Sequence, residues 1–389
     1  MVKPFQFARL PLIYFGRGRI TELNLLVKRY GKTLLLLTGK SSFMNSVNGR
    51  NLVSNLNDNG IRYKHIIVPS EPSPSTIDDA VAAFREFNPD VVTAIGGGSV
   101  IDAGKAISAM LPSGAPVTEF LEGVGTKEHP GIKIPFIAVP TTSGTGSEAT
   151  KNAVISRTGR NGFKRSLRHD NFVPDIAIVD PELTLGCPRD ITAAAGMDCF
   201  TQLTEAYLSD KANPFTDALA LEGLKAVKAS LSQSCLSGDD IEAREGMSLA
   251  ALISGICLAN AGLGAVHGFA SSIGGFFNIP HGVICGTLMA SANEMNIREL
   301  RKLQDDTSLK KYATLGKLFL GTQGEPDDYY INGLIEYLHQ LTEKLQLPRL
   351  KKYGLSEADA EMICMATENK NNPVRLSASQ FAEIFKSRL

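Results

Sequence analysis

The sequence predicts an α/β domain built on a parallel sheet, followed by an all-helical domain. Three observations carry this. The chain has 389 residues, too many for one compact core, so two domains are expected. Its first ~185 residues alternate short, almost continuously apolar strands with helical patterns, as a parallel sheet covered on both faces requires. After Asp180-Pro181-Glu182-Leu183 the pattern becomes helical throughout. The expected division is 1–184 and 185–389, with Gly186-Cys187-Pro188 as a natural junction because Pro188 cannot continue a preceding helix.

Taken in order, Thr33-Leu34-Leu35-Leu36-Leu37 reads as a buried strand. Residues 76–87 place Ile77, Ala80, Val81 and Phe84 on one helix face, with Ser75 as N-cap. Strands follow at 90–95 and 134–139, and a further one at 172–179, where Pro174 fits only a strand end or edge. Beyond the junction, helices are expected near 190–209, 214–233, 240–262, 284–297, 306–319, 330–346, 356–366 and 378–388.

Composition narrows the function. Forty basic residues balance forty acidic ones, so nothing in the charge points to nucleic acid or an anionic membrane. A small molecule in a local pocket, and a cleft between two domains, suit such a chain better. The start, Met1-Val2-Lys3-Pro4-Phe5, lacks the apolar run of a secretory signal. The most apolar stretch, Met247–Val266, carries Ser, Asn and Gly and reads as a buried helix. Six scattered cysteines without a CxxC pair suggest reduced thiols in the cytoplasm, none of them a nucleophile.

Two loops carry chemistry. Ile95-Gly96-Gly97-Gly98-Ser99 follows a strand and opens a helix, whose free N–H groups and dipole favour a phosphate. The spacing is not G-x-G-x-x-G, and a ligand-free glycine turn would share the local pattern. Pro140-Thr141-Thr142-Ser143-Gly144-Thr145-Gly146-Ser147-Glu148 follows another strand and offers hydroxyls at its carboxyl end, where open α/β sheets bind ligands.

These motifs resemble the iron-containing alcohol dehydrogenase family. The matching residues are Gly96-Gly97-Gly98-Ser99-x-x-Asp102-x-x-Lys105, the 140–148 loop, Asp180-Pro181-Glu182-Leu183-Thr184, Gly196-Met197-Asp198 and Pro280-His281-Gly282, in order along the chain. The resemblance implies a dehydroquinate synthase-like architecture, a nicotinamide dinucleotide, and one divalent metal, Fe(II) or Zn(II), at the domain interface. It implies that Gly97, Gly98 and Ser99 meet the pyrophosphate. Asp102, Thr141, Thr142, Thr145, Ser147, Lys164 and Leu183 would complete the dinucleotide site. It also implies a homodimer or higher homo-oligomer. The metal positions of the family fall on Asp198, Gln202, His267 and His281, where Asp198 and Gln202 share a helix face at i,i+4.

Two departures stand out. Gln202 occupies a position where the family has histidine, and an amide is a weaker ligand. Ser271 stands where many members carry a histidine that helps move the alcohol proton, and serine does not titrate near neutral pH. No general base is assigned. The implied reaction moves a hydride between NAD(P) and a small alcohol or aldehyde, with the metal as Lewis acid. Three alternatives are a metal-free reductase resembling maleylacetate reductases, a dehydroquinate synthase-like cyclase and a non-catalytic dinucleotide-binding protein. Finally, Thr38-Gly39-Lys40-Ser41-Ser42 replaces the acid that, in NAD-selective sites, meets the adenosine ribose. Gly39, Lys40 and Ser41 therefore point to NADP(H), with NAD(H) the alternative.

Overall fold

The computed structural model describes residues 4–160 and 162–389. It divides into two compact units, one made of Phe7–Arg157 with Lys164–Gly186 and the other chiefly of Cys187–Leu389. The strands are β1 (Leu12–Phe15), β2 (Thr33–Thr38), β3 (Arg62–Ile67), β4 (Val91–Gly96), β5 (Phe136–Pro140), β6 (Asn152–Arg157), β7 (Phe163–Arg168) and β8 (Ile176–Val179). Six form one sheet in the order β1-β8-β5-β4-β2-β3, every pair parallel, and β6 pairs with β7.

The central strands β2, β4, β5 and β8 are buried at every residue, because helices cover both faces. Leu34, Leu36, Val91, Ile95, Ile137 and Val139 belong to a core that also takes in Leu23, Leu52 and Leu56. Connectivity sets where a ligand can enter. The chain leaves β2 to form β3 on one side, then returns to form β4 on the other. That reversal opens a crevice at the carboxyl ends of β2 and β4.

Several expectations need correction. The helix expected at 76–87 runs Pro74–Phe84, and its N-cap is Ser73, not Ser75. Ser73 Oγ accepts from Thr76 N at 3.2 Å while Thr76 Oγ1 accepts from Ser73 N at 3.3 Å. That reciprocal pair, with Pro74 pre-set at the first helical position, outcompetes a cap two residues later. The strand expected at 172–179 starts only at Ile176, since Asp170–Phe172 is a 3-10 turn and Pro174 lies ahead of the ladder. Strands β1, β3, β6 and β7 go beyond the sequence expectation: β1 is apolar but only four residues long, and β3 and β7 are rich in Arg and Lys, as edge strands can be.

From Cys187 onward the described residues form helices and 3-10 turns and no strand. The helix Arg189–Leu208 is buried on nearly every face beyond Thr192 and forms the axis around which the others pack. The expected single buried helix over Met247–Val266 is instead two, Ile241–Ala261 and Ala265–Phe276, broken at Gly262 and bent by 97°. Gly262 takes φ 73°, which ends the first helix. No single helix among the described residues is long and apolar enough to cross a membrane. The helix Ala265–Phe276 is hidden in the sequence because three glycines and a missing side-chain cap depress its local propensity; packing forms it.

Candidate active site

In the α/β unit, Gly97 stands at the N-cap of the helix Gly98–Met110, and as a glycine it supplies no side-chain cap to the first turn's N–H groups. Gly97, Gly98 and Ser99 are half-buried, whereas Val100 to Met110 are buried. The second loop closes on this turn. A Cβ at Gly98 would lie 2.8 Å from Thr145 Oγ1, and one at Gly97 3.3 Å from Thr142 Oγ1. Thr141, Thr142 and Thr145 are each half-buried. The structure therefore brings the glycine turn and these threonines together as a backbone-lined cradle suited to a pyrophosphate.

Asp102 and Ser147 sit one layer deeper. Both are buried, and Ser147 Oγ donates to Asp102 Oδ1 at 2.9 Å. Lys105, from the same helix, donates to Ser147 O, Thr150 Oγ1 and Asn152 O at 2.9, 3.0 and 2.8 Å. Burial pushes the Lys105 ammonium down to about 8, against the pull of Asp102 and Glu148. Burial likewise pushes the Glu148 carboxyl up to about 7. This network ties the threonine loop to the phosphate helix. In the sequence Lys105 and Glu148 are visible only as motif residues, without this bracing role.

Lys164 is buried and pairs with Glu71 at 2.6 Å, while Ser156 Oγ donates to the second Glu71 oxygen at 3.2 Å. Leu183, in the 3-10 turn Pro181–Thr184, packs against the sheet core. Gly39 lies beside the phosphate helix, where a Cβ would stand 4.0 Å from Val100 Cγ2, and Lys40 and Ser41 are exposed. All three stand at the carboxyl end of β2, on the crevice described above.

The helical unit gathers a second constellation. Asp198, from Arg189–Leu208, has Oδ1 at 3.3 Å from His267 Nε2 and 3.5 Å from His281 Nε2. His281 opens the helix His281–Leu303, and Cys285 follows one turn later with Sγ at 3.7 Å from His281 Nε2. One ligand atom from each of these four residues lies within 4.8 Å of the others. Close backbone approach makes this possible: a Cβ at Gly282 would sit 2.3 Å from Ala194 O, so only glycine lets the two helices meet there.

The fit to a cation is visible in the polar atoms. Asp198 Oδ1 and His267 Nε2 are buried, face each other and make no hydrogen bond. Buried polar atoms seldom go unpaired, so a shared metal explains them. Burial favours a neutral Asp198, but His281 and His267 overcome it and hold the carboxyl down at about 2. Burial pushes the Cys285 thiol up to about 12. The His281 side chain is 26% exposed against 3% for His267, so the cluster is reached from the His281 side.

Glu205 completes the arrangement. One oxygen accepts from Val266 N at 2.7 Å and the other meets His267 Nδ1 at 2.6 Å. A carboxylate only accepts, so Nδ1 carries a proton, and with a cation bound Nε2 would present its lone pair to that cation. Gln202 is buried on the same helix and donates through Nε2 to Ser254 Oγ at 2.9 Å. Ser271 Oγ donates to His267 O at 2.9 Å and accepts from the exposed Lys370 Nζ at 3.2 Å. Sequence reasoning misses Glu205 and Cys285. Their signals are present: Glu205 lies seven residues after Asp198, and Cys285 four after His281, both on the ligand faces.

The family model for iron-containing alcohol dehydrogenase matches residues 11–181, and that for the C-terminal part of the Fe-containing alcohol dehydrogenase family matches 192–389. The chain belongs to the iron-containing alcohol dehydrogenase family. Among similar proteins, the NADPH-dependent butanol dehydrogenase of Clostridium saccharobutylicum is 32% identical over 384 residues, covering 96% of this chain and 95% of that one. The NAD-dependent methanol dehydrogenase of Bacillus methanolicus is 30% identical over 390 residues, covering 97% and 98%. The crystal structure of a 1,3-propanediol oxidoreductase superposes with a TM-score of 0.88 at 28% identity, covering 100% of both chains. This chain is accordingly an NAD(P)-dependent alcohol dehydrogenase or aldehyde reductase of a family that uses one divalent metal.

Proposed function

We propose that the chain is a cytoplasmic, NADP(H)-preferring reductase of small aldehydes and dehydrogenase of the matching alcohols, and that it works as a homo-oligomer. The domain division 1–184 and 185–389 would separate dinucleotide binding from metal and substrate binding. The observation that carries the reading is the buried Asp198–His267 pair, two polar atoms aimed at one point without a hydrogen bond. When bound there, a divalent ion supplies Lewis acidity toward the substrate oxygen, and the nicotinamide supplies or takes the hydride.

The remaining work belongs to the chain. Asp198, His267 and His281 would hold the ion, and Glu205 fixes the ring orientation and tautomer of His267. The turn at Gly97, Gly98 and Ser99 would receive the pyrophosphate on backbone N–H groups, with Thr141, Thr142 and Thr145 bonding the rest of the dinucleotide. Asp102 and Ser147 act by bracing that loop rather than by touching the ligand. Lys164, held by Glu71 beside it, would contribute a cation to the dinucleotide site. Ser271 Oγ bonds to His267 O and Lys370 Nζ, so a hydroxyl replaces the titratable group at that position and no general base is assigned. Gly39 leaves room beside Val100 for a ribose phosphate, and Lys40 and Ser41 supply charge and hydrogen bonds to it. Six free cysteines, five of them buried, suit a reducing compartment.

Metal analysis of the isolated protein, together with nicotinamide turnover against a panel of small aldehydes and alcohols, tests this. The expected result is bound Fe or Zn and faster turnover with NADP(H). A protein that binds no divalent metal and turns over neither cofactor refutes it.

A further inference from the structure

We propose that Cys285 Sγ, rather than the Gln202 amide, is the fourth protein ligand of the metal in this chain, giving an Asp-His-His-Cys site that favours Zn(II) over Fe(II). The inference rests on the reading of the Asp198 cluster as a metal site and specifies its donor set.

Geometry is the first argument. Around a tetrahedral zinc, bonds of about 2.0–2.1 Å to N and O and about 2.3 Å to S require donor separations of about 3.4 Å between N and O and about 3.6 Å between N and S. The observed separations are 3.3 Å for Asp198 Oδ1 to His267 Nε2, 3.5 Å for Asp198 Oδ1 to His281 Nε2, and 3.7 Å for His281 Nε2 to Cys285 Sγ. Three edges of the tetrahedron are therefore already near their bound lengths. The sulfur is held there by the helix itself, since His281 and Cys285 are four residues apart on His281–Leu303.

The second argument is the chemistry of the two donors, the Gln202 amide and the Cys285 thiol. Gln202 Nε2 donates to Ser254 Oγ at 2.9 Å, and that hydroxyl donates to Ala251 O at 2.8 Å. The amide thus ties Arg189–Leu208 to the neighbouring helix Ile241–Ala261. An amide oxygen is also neutral, whereas a thiolate beside Asp198 balances a divalent charge in a buried site. The thiol proton leaves to solvent as the metal–sulfur bond forms. Thiolate is the softest donor in the set and would shift preference toward zinc.

Cobalt(II) substitution tests the proposal without relying on turnover. Cobalt-loaded protein should show an intense near-ultraviolet thiolate-to-cobalt charge-transfer band beside the visible ligand-field bands. Cys285→Ala and the near-isosteric Cys285→Ser should lose the charge-transfer band, still bind cobalt, and bind zinc at least ~10-fold more weakly, as even the loss of an outer partner costs that much. Gln202→Ala should keep the band. Ligand-field bands without a thiolate band in the natural protein, or a band that survives Cys285→Ala, would overturn the assignment of Cys285 and leave the metal reading intact. No cobalt bound at all would overturn both.

Discussion

Replacing Glu205 by Gln should weaken metal binding by about 10- to 100-fold, or about 1.4–2.7 kcal/mol, the range for losing a partner that orients a ligand. The structure shows why an isosteric change costs this much. The carboxylate accepts twice, from Val266 N at 2.7 Å and at His267 Nδ1 at 2.6 Å. It is also confined: a Cβ placed on Gly264 would lie only 2.9 Å from Glu205 Oε1, so a glutamine must occupy the same space. If its oxygen keeps the Val266 N–H, its NH2 faces Nδ1. His267 must then carry its proton on Nε2, the nitrogen turned toward Asp198. If the amide flips, its NH2 opposes the Val266 N–H and two donors meet. Both arrangements are worse for a cation. The assay is equilibrium competition for zinc against a chelator of known affinity, with circular dichroism to establish that the variant is folded. A folded Glu205→Gln protein that binds zinc as tightly as the natural one would refute the orienting role of Glu205 and the tautomer deduced for His267.

Three further outcomes are expected. Gly97→Asp should abolish dinucleotide binding in a folded protein, because the carboxylate would stand beside Thr142 where the pyrophosphate meets backbone N–H groups; calorimetric titration with both nucleotides decides it. Gly39→Asp should shift the kcat/KM ratio from NADP(H) toward NAD(H), since the position has ordinary contact with Val100 and no positive φ, so the acid enters without strain and repels a 2′-phosphate. Asp90 Oδ2 accepts from Lys32 N, Thr33 N and Thr33 Oγ1 at 2.8, 2.8 and 2.7 Å, and these bonds, the Thr33 hydroxyl foremost, hold its carboxyl below the ordinary value. A depressed carboxyl stabilises the fold above its unfolded pKa and loses that stabilisation as pH falls through the folded value. Asp90→Ala should therefore cost about 1 kcal/mol at neutral pH, trimmed by solvent exposure, with the difference from the natural protein vanishing in thermal unfolding at strongly acidic pH.

The chain's own residues determined the class of the fold. Strands such as Thr33–Leu37 are apolar at almost every position, which only a doubly covered parallel sheet explains, and the loss of strand patterns after Leu183 marks the change to helices. The glycine and threonine loops were legible for the same reason: their chemistry lies in contiguous residues. The candidate metal positions Asp198 and His281 were legible through the spacing of the motifs that carry the family resemblance. What depended on distance through space was not legible. Ser73 rather than Ser75 caps its helix because a reciprocal bond with Thr76 wins, and Asp102 faces Ser147 across 45 residues. Glu205 meets His267 only after the glycine-rich helix Ala265–Phe276 has formed by packing, against its weak local propensity. Cys285 joins His281, Asp198 and His267 only because Gly282 lets one helix close onto the backbone of another. Periodicity reports which face of a helix is buried. Which two faces come to rest against each other, and hence which donors share one point, is decided by side-chain volume and close approach in three dimensions.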